Sequence, residues 1–97
     1  MVFEMAHVDV QNGKEAEFEA GVKNALPLFA RARGCNGVEL HRTVGQPNRY
    51  ILMVKWETID DHVVHFRESE DFQEWRRLVG SFFEKTPTIY HTEIKVR

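Results

Sequence analysis

Apolar and polar positions alternate from Val2 to Val10, a period that predicts an opening β-strand. The run QNGKE breaks that pattern. Asn12 is a suitable helix N-cap, and Glu15, three positions on, is placed to return the hydrogen bond as in a capping box. Phe18, Val22, Ala25 and Phe29 then recur at spacings of four, three and four, one face of a helix expected to reach about Arg33. Pro27 lacks an N–H and should kink the helix or slacken its last turns. Gly34 can take the left-handed position that ends it, and Arg31 and Arg33 lie where the helix dipole favours cations.

GVELHRTV and RYILMVKW read as two strands joined by the turn residues of GQPN, hence a hairpin. Thr58 should cap a short helix carrying His62 and His65. Ser69, followed by Glu70 and Asp71, should start another, whose stripe runs through Phe72, Trp75, Val79 and Phe82. Pro87 precedes TIYHTEIKV, a last alternating strand. The order β-α-β-β-α-β over residues 1–97 predicts one α+β domain, a ferredoxin-like sandwich of an antiparallel sheet with both helices on one face.

The strands are apolar on both sides. Tyr50, Leu52, Val54 and Trp56 lie opposite Ile51 and Met53; Val2, Ala6, Val8 and Val10 lie opposite Phe3 and Met5; Tyr90, Ile94 and Val96 lie opposite Ile89. Two helices cover only one face, and an open apolar face of this size implies an interface. The expected cover is the sheet of a second copy in a symmetric homodimer.

Composition narrows the functions open to such a fold. With 42% hydrophobic and 29% charged residues, the chain is an ordinary globular one. A net charge of −2 argues against nucleic-acid and acidic-membrane partners. A lone Cys35 permits neither an intrachain disulfide nor a multi-cysteine metal site. No run approaches the roughly 18 apolar residues of a membrane span, and MVFEMAHVDV lacks the basic start of a signal peptide. The expected location is the cytoplasm.

The stretches GCNGVELHRT, PNRYILMVKWET and SEDFQEW, in that order and spacing, together with VDVQNGKEAEFE, resemble the antibiotic biosynthesis monooxygenase family over essentially the whole chain. The resemblance implies a dimeric α+β barrel with the two sheets face to face, often with C-terminal strand exchange. It further implies chemistry on a small substrate held between sheet and helices. Some members oxidise polycyclic phenols or quinols with O2 and no cofactor; some degrade haem; one branch isomerises a sugar phosphate. Against the haem-degrading pattern, Trp75 stands where that branch has its histidine ligand and Ala6 where it has asparagine, although Trp56 matches its strand tryptophan. Many other members carry a histidine at the position of Phe66, and here the imidazoles fall at His62 and His65 instead.

On this footing Trp56, Phe66, Trp75, His62 and His91 are the candidate substrate-binding residues, with His65 or His7 as catalytic base. Each has a plainer alternative. The tryptophans also suit core packing, and His62 and His65, three apart on a helix, also suit a solvated face. Two histidines fall short of the three or more ligands usual for a metal site. His7 and His91, on strands expected to be neighbours, could form a polar pair within an apolar face. No G-x-G-x-x-G or P-loop is present, so no bound flavin, nicotinamide or other cofactor is expected. The leading expectation is a cofactor-independent monooxygenase acting on a small aromatic or quinol-type substrate. An isomerase or a small-molecule binding module on the same fold stands beside it, with haem degradation further off.

Overall fold

The computed structural model describes all 97 residues. Its elements are β1 (Val2–Asp9), α1 (Glu15–Ala30), β2 (Cys35–Arg42), β3 (Arg49–Trp56), a π-helical turn (Asp61–Phe66), α2 (Glu70–Val79), a 3-10 turn (Gly80–Phe82) and β4 (Thr88–Thr92). The strands form one antiparallel sheet in the order β2-β3-β1-β4, which leaves it open at both edges. This is the expected ferredoxin-like arrangement, with β1 beside β4 and the hairpin β2–β3 on the other flank.

Alternation along the strands decides which residues meet the helices. Ala6, Val8, Leu52, Val54 and Trp56 point inward and are buried against Phe18, Val22, Ala25 and Phe29 of α1 and Trp75 and Val79 of α2. The helices approach closely at Gly21, where an added Cβ would lie 2.9 Å from the backbone oxygen of Leu78 and 3.2 Å from Cγ1 of Val79. On the opposite side Phe3, Met5, Ile51, Met53 and Tyr90 project from a face that no element of the chain covers, as the two-sided pattern predicts.

Several local expectations are revised. The capping box at Asn12 does not form: α1 begins at Glu15, and Glu15 Oε1 accepts instead from the N–H of Gly13 at 2.9 Å. The helix stops at Ala30, three residues after Pro27, and no basic side chain lies in its last turn. Arg31 leaves the dipole for a bidentate pair with Asp71, 2.8 Å on each side, which ties the end of α1 to the start of α2. Gly34 takes the left-handed conformation at φ +76° and hands its carbonyl to the N–H of Glu57. The final strand ends at Thr92, and residues 93–97 have no strand partner, leaving Val96 91% exposed.

The expectations at Thr58 and Ser69 hold. Thr58 Oγ1 accepts from the Asp61 N–H at 3.2 Å and the Asp61 carboxylate accepts from the Thr58 N–H at 3.2 Å, a reciprocal cap for the π turn. Ser69 Oγ accepts from the Phe72 N–H at 3.2 Å, with Glu70 and Asp71 in the first turn of α2.

Candidate active site

The π turn is what builds the site. Its N–H of Arg67 reaches back five residues to the carbonyl of His62 at 3.0 Å, so the turn holds more than four residues and brings positions 62 and 66 nearly into line. Both side chains therefore face the sheet and are buried. The His62 ring stacks on the Trp56 indole at 5.5 Å between centroids and 12° between planes, and Phe66 meets the same indole at 5.5 Å.

Beneath them, at the helix-facing position of β1, sits an acid. The alternation that buries Ala6 and Val8 buries Glu4 as well, leaving it 5% exposed. A buried carboxyl needs partners. Trp56 Nε1 donates to Glu4 Oε1 at 3.0 Å, and His62 Nε2 lies 3.3 Å from the same oxygen. The other nitrogen of His62, Nδ1, is 2.8 Å from His91 Nε2, which β4 places here because His91 is the cross-strand partner of Glu4. Glu4, His62 and His91 thus lie in a row in which His62 and His91 share a hydrogen bond and His62 Nε2 stands in close polar contact with Glu4, with His91 at the half-buried outer end. The His62–His91 bond can form with either ring as donor, the choice setting the tautomer of both imidazoles.

Electrostatics gives this row its character. Burial pushes the Glu4 carboxyl up to about 7, against smaller opposing pulls from the Trp56 N–H and the Arg67 charge. Burial pushes His62 down to about 4, with His91 and Arg67 acting in the same sense, and burial and then Arg67 lower His91 too. The separation of Glu4 and His62 would suit an ion pair, but desolvation opposes both charges, so a polar contact between neutral groups describes it better. At neutral pH His62 is therefore uncharged and the Glu4 carboxyl is close to half-ionised.

The row opens on a cavity of about 550 Å3 between sheet and helices. Its aromatic wall is Phe29, Phe66, Phe72, Trp75 and Phe83, its polar groups include Glu4 and His62, and Arg67, Arg76 and Lys85 also border it. Phe29 meets Trp75 edge to face at 5.1 Å and Phe66 at 5.2 Å, and Phe66 meets Phe72 edge to face at 5.8 Å, so these four rings of the wall form a connected set. The volume falls in the range of small-molecule sites, and apolar walls with a few convergent polar groups are their usual make-up.

Of the residues singled out from sequence, the structure gathers His62, Phe66 and Trp75 around the cavity, with Trp56 and His91 directly behind it. It does not gather the other two histidines. His65 is exposed and outside the cavity lining, because the turn that aims 62 and 66 inward aims 65 away. His7 lies on the open face of the sheet, its Nε2 2.9 Å from Tyr90 Oη; its cross-strand partner on β4 is Thr88, so no His7–His91 pair exists. No group of three or more His, Cys, Asp or Glu side chains comes together to hold a metal ion. Burial raises the Cys35 thiol, which keeps it from being a ready nucleophile. The site residue not singled out from sequence is Glu4, although its signal is present: it occupies an inward position in the series Val2, Ala6, Val8, Val10.

An α+β sandwich with an aromatic cavity between sheet and helices defines the class of the protein, and comparison with known chains supplies the family. The antibiotic biosynthesis monooxygenase profile matches residues 1–78, and the chain belongs to that family. It is 35% identical over 91 residues to YczJ of Bacillus subtilis (strain 168), itself uncharacterised, spanning 94% of this chain and 96% of the relative. A crystal structure from Bordetella bronchiseptica, assigned by name to the same family, shares 55% identity with a TM-score of 0.97, covering 98% of this chain and 97% of that one. SnoaB of Streptomyces nogalater, described as a cofactor-independent oxygenase, shares the fold at 20% identity and a TM-score of 0.84, over 99% of this chain and 94% of its own. No helix of the chain is long and apolar enough to cross a membrane.

Proposed function

We propose that this protein is a cofactor-independent monooxygenase for a small aromatic or quinol-type substrate, working in the cytoplasm as a homodimer through the open face of its sheet. The observation that carries the proposal is Glu4: a carboxyl in the floor of an aromatic cavity, with burial holding its pKa near 7. A base poised at the working pH is what proton abstraction from a hydroxyarene requires. SnoaB, on the same fold, lends the reading support.

In this mechanism the substrate ring lies against Phe66 and Trp75, and ionised Glu4 takes a proton from it. His62, neutral through burial, passes that proton toward His91. The carbanion or enolate gives its electrons to O2 in a site from which the aromatic wall excludes water. For a substrate with an activated ring methylene the balance is closed: the CH2 becomes C=O, one oxygen atom of O2 enters the carbonyl, and the other leaves as water with the two hydrogens.

Oxygen uptake with a panel of quinols and hydroxyarenes tests the proposal. Uptake should occur with at least one, kcat/KM should rise with pH through about 7 as Glu4 ionises, and Glu4→Gln should lower it by roughly 100-fold or more. Uptake indifferent to Glu4→Gln rejects this base. A ligand that stabilises the chain without oxygen consumption points instead to an isomerase or a binding module.

A further inference from the structure

Most arginines of the chain are committed to carboxylates. Arg31 pairs with Asp71, Arg33 with Asp61, Arg42 with Glu19, Arg49 with Asp9 and Arg77 with Glu74. Arg67 and Arg76 have neither an ion-pair partner nor a side-chain hydrogen bond, and both border the aromatic cavity. The third cation there, Lys85, is held by Asp9 at 3.3 Å. In a chain of net charge −2, two uncommitted guanidinium groups at the rim of one apolar cavity form a local cationic patch. They come from different elements, Arg67 from the end of the π turn and Arg76 from α2, and both border the same cavity. A guanidinium is planar, weakly hydrated and shaped for two-point contact with a carboxylate.

We infer that the substrate is an aromatic acid: the ring lies against Phe66 and Trp75, while its carboxylate is held by Arg67 and Arg76 at the cavity rim. This rests on the cavity being the substrate site, and it adds the charge of the substrate to the proposed chemistry. It also orients the ring, because fixing the acid at the rim directs the opposite edge toward Glu4.

The test is anaerobic calorimetric binding of naphthoate against naphthamide, which share a ring system and differ in charge. The acid should bind about tenfold or more tightly, the scale of one charge-assisted hydrogen-bonded contact. Arg67→Gln and Arg76→Gln, both at exposed positions, should bring the acid down to the affinity of the amide, with a much smaller effect on the amide itself. Equal binding of acid and amide, an acid preference that survives both substitutions together, or no binding of either overturns the inference. Because oxygen is excluded, a protein that binds the acid by way of these arginines yet never consumes O2 retains this inference and loses only the oxygenase reading.

Discussion

Glu4 and His62 are shifted in opposite directions by the same burial, and their effects on stability oppose each other. Glu4 holds its proton more tightly folded than unfolded, so stability falls as pH rises from about 4.5 to about 7. His62 holds its proton less tightly folded, so stability climbs as pH rises from about 4 to about 6.5, and His91 adds in the same direction. Where the windows overlap the two slopes should largely cancel. Each single substitution should therefore expose the other partner. Glu4→Gln is expected to gain stability on the order of 2 kcal/mol between pH 4 and 6.5 relative to wild type, and His62→Gln to lose a similar amount between pH 4.5 and 7. Urea denaturation across that range reads both, and variants whose profiles run parallel to wild type would show that the pair is not coupled in this way.

At the scale of elements, the contact of α1 with α2 turns on Gly21. A methyl group there would meet backbone at Leu78, which cannot swing aside as a side chain tip can. Gly21→Ala should destabilise the fold by about 1–2 kcal/mol even though alanine is the better helix former. Gly80, with φ −61° and open space around its Cβ position, is the matched control, and Gly80→Ala should be neutral or slightly stabilising in the same thermal melts. The strands, both helices and the caps at Thr58 and Ser69 were legible in the sequence because each depends on residues near one another in the chain. The π turn was not. Period alone places His65 only a step from Phe66, and it is the extra residue per turn that sends His62 inward and His65 out. Glu4 escaped for a different reason: an acid in an apolar series reads as an interruption, and only its meeting with Trp56 and His62, from distant parts of the chain, explains its burial. The end of β4 likewise depends on pairing with β1, which stops at Phe3↔Thr92, and nothing in TEIKV announces that limit.

For the molecule as a whole, the uncovered face is the main feature still in want of a partner. Met5 sits between Met53 and Tyr90 in one cross-strand row, flanked by Phe3 and Ile51, so the exposed surface is apolar at its centre. Burial of this face against a second copy would convert a two-layer sandwich into a structure with two covered sheet faces. Sedimentation velocity should find a dimer in wild type and a monomer in Met53→Glu, which places a charge at the middle of the proposed contact. A wild-type chain that sediments as a monomer at micromolar concentration would remove the dimer from the proposal.

The placement of the two tryptophans has an optical consequence. Trp75 forms part of the cavity wall, whereas Trp56 is wholly buried behind it with its ring against an imidazole. Occupancy of the cavity acts directly on the emission of the first indole. Charging of His62 brings a quencher face to face with the second. The chain thus carries two intrinsic fluorophores whose signals separate ligand entry from protonation, and selective replacement of either with phenylalanine would leave the other as a clean channel.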